Sequence, residues 1–213
     1  MKSKKFKYGI DPVTVGRQAH ARVFDQPVTT SADLPGRKLQ EFILQGRPAE
    51  FRKWLKRHDP DWEKDARAQY CVGASFKADR QYNKAEKCYK AALQMWQAIG
   101  DPKKVSFVLQ ELSVISLAND DHKSAWHYLN DAMKVLPNSF TSHYNRLCLA
   151  SMERDEKKLR TAYQEMSDLC KKWYQDPNAE HLFLTDGELQ FLRDEVPDLW
   201  QQIKKQTKRR LKP

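Results

Sequence analysis

The feature that most constrains the fold is a self-similarity of the chain at a shift of 40 residues. At this shift the segment NKAEKCYKAALQMW, residues 83–96, aligns with KSAWHYLNDAMKVL, residues 123–136, and Ala85 and Ala92 both fall on alanines. Small residues at matching places let neighbouring helices approach, so the pattern predicts stacked units of similar build. The alternative is a helical bundle without repeats, in which the alanine spacing is coincidental.

Each unit is predicted to contain two helices, because apolar residues step by three and four on either side of a polar break. The breaks are ADRQYN at 78–83 and ANDDHK at 118–123, and Pro137 closes the second unit. A third, weaker unit follows between residues 140 and 173. The low Gly and Pro content, 7 and 10 residues, also favours a helical protein.

These units resemble the tetratricopeptide repeat, a helix–turn–helix of about 34 residues. VGASF followed by YNKAEKCYKAAL carries the likeness in the first unit. The second unit keeps the two alanines and Pro137 but has Ser113 and Ser116 where the family has glycine and an aromatic residue. The resemblance covers about residues 62–174, and it implies an all-α solenoid of about three helix–turn–helix units with helical caps.

Local signals divide the rest of the chain. The first segment has no sustained period, and the segments flanking the units carry apolar stripes that suit capping helices. We expect a basic arm, extended or disordered, at 1–35; a helical hairpin cap with a break at Gly46–Pro48 at 36–60; repeats at 61–177; capping helices split by Pro197 at 178–206; and a basic tail at 207–213.

The net charge of +10 lies at the two ends of the chain. Residues 1–60 hold 13 basic against 6 acidic residues, and residues 203–213 hold 6 basic residues and no acidic one. Such ends can neutralise phosphates, meet an acidic protein face, or simply aid solubility. The candidate basic residues of the tail are Lys204, Lys205, Lys208, Arg209 and Arg210.

Cysteine spacing and hydropathy suggest a compartment. The four cysteines are widely spaced and make no CxxC pair, which favours buried free thiols in a reducing compartment. No apolar run approaches the roughly 20 residues of a membrane span, and the charged N-terminus lacks the apolar segment of a signal peptide. We therefore expect a cytoplasmic protein without membrane insertion.

The polar residues do not favour catalysis. The chain has no phosphate-binding glycine loop, no nucleophile elbow and no HExxH zinc motif. His122 and His127 are spaced for neither a shared helix face nor a zinc site. Acidic residues at predicted turns, among them Asp121 and Asp155, are expected to cap helices. We expect no catalytic residue, no metal site and no cofactor.

In the tetratricopeptide family the first helices of successive units line a concave groove. The resemblance therefore implies a partner-binding surface with an apolar floor, suited to a helix or an extended peptide. The family's carboxylate-gripping clamp is absent, and burial by the arm or by the chain's own packing is the competing interpretation of these residues. The groove residues are Arg67, Tyr70, Ala74, Lys77, Phe107, Gln110, Val114, Leu117, Asn145, Arg146 and Leu149.

The function expected from the sequence is a non-enzymatic one. We expect a protein–protein interaction module, an adaptor or scaffold subunit that holds a partner peptide or helix in its groove and contacts an assembly through its arm. The alternative is a nucleic-acid-associated factor that uses the basic N- and C-terminal segments. The sequence does not indicate an oligomeric state.

Overall fold

A computed structural model describes residues 34–170 and 179–208. These residues form eleven α-helices and two short 3-10 helices, and none of them lies in a strand. The predicted all-α class is therefore confirmed. The chain divides into two compact units, one ending at Tyr128 and the other beginning at Leu129, so that the division falls within one helix.

The helices follow one another with short connections. The first unit contains α1 (Leu34–Leu44), α2 (Pro48–His58), a 3-10 turn (Trp62–Lys64), α3 (Ala66–Ala78), α4 (Tyr82–Ile99) and α5 (Pro102–Ala118). Helix α6 (His122–Val135) crosses the division. The second unit contains α7 (Phe140–Met152), α8 (Glu156–Leu169), α9 (Ala179–Thr185), a 3-10 turn (Gly187–Leu189), α10 (Gln190–Glu195) and α11 (Pro197–Lys208).

Acidic side chains begin several of these helices. The Asp65 carboxylate accepts a hydrogen bond from Ala68 N at 2.6 Å, and Asp155 accepts one from Lys158 N at 2.9 Å. Asp121 does the same for Ser124 N at 3.0 Å. Each cap satisfies a backbone N–H that the helix leaves open, which stabilises the helix by about 1 kcal/mol. The predicted capping role of Asp121 and Asp155 is confirmed.

Four helix pairs share one turn geometry. In each turn three consecutive N–H groups bond to carbonyl oxygens four, three and five residues back, at 2.8–3.2 Å, and the middle residue is left-handed. Gly46 lets the first turn adopt this conformation without strain, while the others use larger residues. The left-handed residues are Gly46 (φ 70°), Arg80 (φ 58°), Asp120 (φ 63°) and Arg154 (φ 56°), so the turns are 34, 40 and 34 residues apart.

The four pairs also bury matching positions, counted from the left-handed residue. Five residues after it lie Phe51, Ala85, Ala125 and Leu159, each 0% exposed. Nine residues after it lie Leu55, Tyr89, Leu129 and Tyr163, all fully buried. The pair α1–α2, predicted as a cap, thus has the same turn and register as the other three. The longer spacing comes from α4 and α5, which have 18 and 17 residues.

Charged side chains fasten the outer helices to their neighbours. In the first unit the Arg52 guanidinium reaches from α2 to Asp79 at 2.5 Å and lies 4.3 Å over the Phe76 ring. In the second unit Arg160 of α8 forms a bidentate pair with Asp198 of α11, with both N–O distances 2.8 Å. The α1–α2 pair and the C-terminal helix are therefore tied to α3 and α8, respectively.

Several predicted boundaries move. Leu34 and Pro35 already belong to α1, and the rest of the predicted 1–35 arm lies outside the described residues. The split at Pro197 is confirmed, because α10 ends at Glu195 and α11 begins at Pro197. Helix α11 continues to Lys208, two residues into the predicted tail.

Candidate functional site

The predicted groove residues fall into two groups by exposure. Buried in the chain's own packing are Tyr70, Ala74, Lys77, Gln110 and Leu149. Half-buried are Arg67, Phe107, Val114, Leu117, Asn145 and Arg146. The residues of the first group are buried by the chain itself, which was the competing interpretation. Only the second group retains surface that a partner can contact.

Tyr70 is the centre of an aromatic cluster in the first unit. Its ring centroid lies 5.4 Å from Tyr89 and 5.8 Å from Trp96, both on α4. Phe107 of α5 lies 5.4 Å away on the other side. Such contacts add to the free energy gained by burial, by about 0.5–1.5 kcal/mol a pair. Tyr70 and Phe107 were both predicted to line the groove, and their rings are in contact. Tyr70, however, belongs to the buried core.

Lys77 is engaged inside the protein. Its Nζ lies 2.5 Å from Glu111 Oε2, and the two side chains are only 6% and 4% exposed. The Tyr89 hydroxyl donates to the same oxygen at 3.3 Å. Burial raises the pKa of Tyr89 well above its usual value, and the Glu111 charge adds to this, so the phenol remains a donor. This buried cluster joins α3, α4 and α5 and leaves Lys77 no role at a surface.

The half-buried residues of α5 form a short apolar strip. Phe107, Val114 and Leu117 are seven and three residues apart, which places them on one side of the helix. Arg67 on α3 is the half-buried cation among the predicted residues of the first unit. Among the predicted residues of this unit, the accessible ones are therefore the three apolar residues of the strip and Arg67.

In the second unit the register of the predicted residues needs adjustment. Counted from the left-handed turn residue, Tyr144 and Cys148 occupy the places that Tyr70 and Ala74 have in the first unit. Asn145 and Leu149 each lie one residue further along. Arg146 is directed inward and forms an ion pair with Glu165 of α8.

The chain itself covers this face of α7. The Tyr144 ring packs edge-on against Phe183 of α9, with centroids 5.4 Å apart. The Tyr144 hydroxyl donates to Asp186 Oδ2 at 2.8 Å and lies 3.3 Å from the Leu182 carbonyl oxygen. The segment 182–189 therefore occupies, on α7, the positions equivalent to the predicted groove.

A thiol of α7 and two carboxylates of this segment converge. One ligand atom each from Cys148, Asp186 and Glu188 lies within 4.8 Å of the other two. Cys148 Sγ is 4.0 Å from Asp186 Oδ2, while Asp186 Oδ1 accepts from Glu188 N at 3.0 Å. Arg193 Nη1 donates to the main-chain oxygens of Asp186 and Phe183 at 2.7 and 3.2 Å, which holds the turn in place.

Burial controls the protonation of this cluster. Burial and, to a smaller extent, the neighbouring Asp186 charge together raise the pKa of Glu188 to about 8. Burial also raises the pKa of the Cys148 thiol well above its usual value. In the protein alone, Glu188 and Cys148 are therefore largely protonated at neutral pH. The sequence offered only the Asp186-x-Glu188 spacing as a signal, since Cys148 is 38 residues away from Asp186.

The other thiols have no comparable surroundings. All four cysteines are unpaired, which agrees with the absence of CxxC spacing. Burial raises the pKa of Cys71 to about 12, so its thiol is unreactive. Within residues 34–170 and 179–208, Cys148 is the one cysteine that shares a cluster of potential metal ligands.

Three of the predicted tail residues lie on α11, and further exposed basic residues lie on α2. Lys204 Nζ is 5.4 Å from the centroid of the Trp200 ring, and Lys205 is exposed. Lys208 is the last residue of α11, while Arg209 and Arg210 lie outside the described residues. On α2 the exposed basic residues are Lys53, Lys56 and Arg57.

No protein-family model matches the chain, and no curated protein matches it. Among the helices of the described segments, none has both the length and the apolar character needed to cross a membrane.

Proposed function

We propose that the chain is a tetratricopeptide-like helical solenoid that acts as a non-enzymatic adaptor or scaffold subunit. The observation that supports this most directly is the turn shared by four helix pairs, spaced 34, 40 and 34 residues apart. Two of these spacings equal the length of the family's unit. The pair α1–α2 then counts as a unit in its own right, which makes four units instead of about three.

The partner proposed for this solenoid is a peptide or helix with apolar anchors. On α1 the positions equivalent to the predicted groove are buried Gly36, exposed Gln40 and half-buried Ile43. They continue to the strip of Phe107, Val114 and Leu117 on α5. An apolar strip with few free charges suits apolar side chains of a partner helix. On α7 the equivalent face is occupied by the chain itself, so we assign binding to the first unit.

The test is a pair of substitutions on the strip. Val114→Asn with Leu117→Asn should reduce capture of a protein partner at least tenfold, in nuclease-treated lysate quantified by mass spectrometry. Ile99→Asn is the matched control, since Ile99 is apolar and 70% exposed but lies off the strip. Circular dichroism would establish that each variant is folded. Capture that survives the double substitution and fails with Ile99→Asn would refute the assignment.

Nucleic-acid binding is the second candidate, favoured by the outer face of α2. Lys53, Lys56 and Arg57 are exposed there, and the Trp54 ring stacks on His58 with centroids 4.7 Å apart. Basic residues beside a stacked aromatic pair can bind phosphate and base. Adaptor and nucleic-acid roles differ in their salt response, because phosphate contacts release counterions.

Fluorescence anisotropy with a single-stranded RNA, at two salt concentrations, would test this candidate. Replacing Lys53, Lys56 and Arg57 by glutamate should abolish a salt-dependent affinity. Replacing the exposed Lys64 and Lys134 should leave that affinity unchanged. No measurable binding by the unsubstituted chain at low salt would exclude the nucleic-acid role.

A further inference from the structure

We propose that Cys148, Asp186 and Glu188 form a binding site for a divalent transition metal of the zinc class. The site belongs to the second unit alone and is independent of the proposed partner strip on α5. It contradicts the expectation from the sequence that the chain holds no metal site.

The first argument is the convergence of three different side chains. Their ligand atoms lie within 4.8 Å of one another, although Cys148 and Asp186 are far apart in the chain. Around a tetrahedral zinc ion, with bonds of about 2.0–2.3 Å, ligand atoms are separated by roughly 3.5 Å. Side-chain movements of about 1 Å would therefore bring all three onto one ion.

The second argument is charge. The buried Glu111 carboxylate has Lys77 as its cation, and Asp79 has Arg52. Among the described residues, no lysine or arginine lies within ion-pair distance of the Asp186 or Glu188 carboxylate, because Arg193 donates only to main-chain oxygens. Asp186 and Glu188 are half-buried, and carboxylates partly removed from water without a cationic partner tend to take up a proton or bind a metal. A divalent ion would supply the missing positive charge.

The donor atoms determine which metal suits the site. Two carboxylates and one thiolate form a mixed oxygen and sulfur set, which suits zinc or cobalt(II) better than magnesium or calcium. Binding forms one metal–sulfur bond and two metal–oxygen bonds, and it releases one proton each from Cys148 and Glu188 to solvent. Water completes the fourth position. The Tyr144 hydroxyl lies 2.8 Å from Asp186 Oδ2. It would orient the Asp186 carboxylate and would not itself bind the metal.

The consequence within the second unit is a cross-link between helix and turn. Cys148 lies in the middle of α7, while Asp186 caps the 3-10 turn at Gly187–Leu189 and Glu188 lies inside that turn. A bound ion would fasten this turn to α7 and keep the segment 182–189 over the helix. Through this link the bound ion would stabilise the folded state of the second unit by mass action.

Cobalt(II) titration of the full chain, stripped with EDTA and dialysed, tests the proposal. We expect one equivalent of cobalt to produce the near-ultraviolet sulfur-to-cobalt charge-transfer band, and one equivalent of zinc to remove it. Cys148→Ser should abolish this band. Cys88→Ser is the matched control and should leave it unchanged, because Cys88 is half-buried on α4 in the other unit. Absence of the band in the unsubstituted chain, or its loss only in Cys88→Ser, overturns the proposal.

A second measurement keeps the thiol in place. Asp186→Asn with Glu188→Gln should weaken zinc affinity by at least a hundredfold, measured by competition with a chromophoric chelator. Tyr144→Phe should weaken it ten- to a hundredfold, as expected for a residue that positions a ligand. If the double variant remains folded by circular dichroism and its zinc affinity is unchanged, the proposal is wrong.

Discussion

Each unit holds a polar cluster, buried in the first unit and half-buried around Asp186 and Glu188 in the second, and the two are neutralised differently. In each, a tyrosine hydroxyl donates to a carboxylate, Tyr89 to Glu111 at 3.3 Å and Tyr144 to Asp186 at 2.8 Å. In the first unit Lys77 supplies the compensating charge from within the chain. In the second, Glu188 adds a further carboxyl group instead of a cation. The first cluster is therefore complete in itself, whereas the second depends on protons or a metal ion from solution.

The largest expected effect is the removal of the internal cation. Lys77→Met should lower the free energy of unfolding by about 3–5 kcal/mol, since it leaves the Glu111 carboxylate buried without its partner. Guanidinium-induced unfolding monitored by circular dichroism measures this loss. The double variant with Glu111→Leu should recover most of it, because no unpaired charge then remains.

Glu188→Gln is the corresponding change in the second unit, made in EDTA. It removes a carboxyl group that already lacks a cation, so the stability should stay within about 0.5 kcal/mol of the unsubstituted chain or rise. A loss as large as that of Lys77→Met would show that the two clusters are not neutralised differently, and the comparison would fail.

Tyr144→Phe should come next in size. Loss of a short hydrogen bond to a charged group costs about 1.5–3 kcal/mol. Tyr89→Phe should cost less, because its hydroxyl lies further from the carboxylate and Glu111 keeps Lys77. Thermal unfolding of both variants in EDTA measures the difference. Equal losses of stability in the two variants would indicate that Lys77 does not make the first cluster less dependent on its tyrosine hydroxyl.

Gly73→Ala tests how closely Tyr89 is held in its cluster. A Cβ at this position would lie 2.8 Å from Tyr89 Cδ1 and 3.3 Å from the Ala85 carbonyl oxygen. We expect a loss of about 1–3 kcal/mol by chemical unfolding, because α3 and α4 must move apart. Ser113→Ala, at the equivalent position of α5, is the control and should cost less. A neutral Gly73→Ala would mean that the ring shifts freely.

A small effect is also expected at an exposed ion pair. Hydrogen bonds from Arg160 hold the pKa of Asp198 at about 2. Because this pKa is lowered on folding, the stabilising contribution is present above the ordinary aspartate pKa and is lost as the pH falls through about 2. Asp198→Asn should reduce stability at pH 7 only slightly, because solvent screens the pair, and it should flatten the acid limb of thermal melts. A loss rivalling that of Lys77→Met would show that pairing, and not burial, sets the cost.

The sequence was sufficient for the helices but not for the number of pairs. Apolar periodicity located α3 to α8, since each of these helices buries one face. The pair α1–α2 was not recognised as equivalent because Leu39 and Phe51 stand where the next pair has Gly73 and Ala85. Both positions are buried in every pair, so what the pairs share is burial and turn geometry, which large and small residues can both satisfy.

The candidate sites were harder to predict, because they depend on contacts between helices. Periodicity places Lys77 on a helix face, but it cannot show that Glu111, 34 residues later, lies opposite it. The same holds for Cys148 and Asp186. In α7 the predicted residues lie one residue off the register of the first unit, and the fourth turn follows the third by 34 residues instead of the 40 of the self-similarity.

The shared turn also has a consequence for the durability of the chain. A residue other than glycine in the left-handed conformation costs roughly 1–2 kcal/mol, and three of the four turns carry one. The Arg154 side chain makes two contacts that offset this cost, because it pairs with Glu195 and lies over the Phe191 ring. Asp120 is 89% exposed and has only a 3.7 Å contact with His122. Asp120→Gly should therefore remove this cost and raise the thermal stability of the chain.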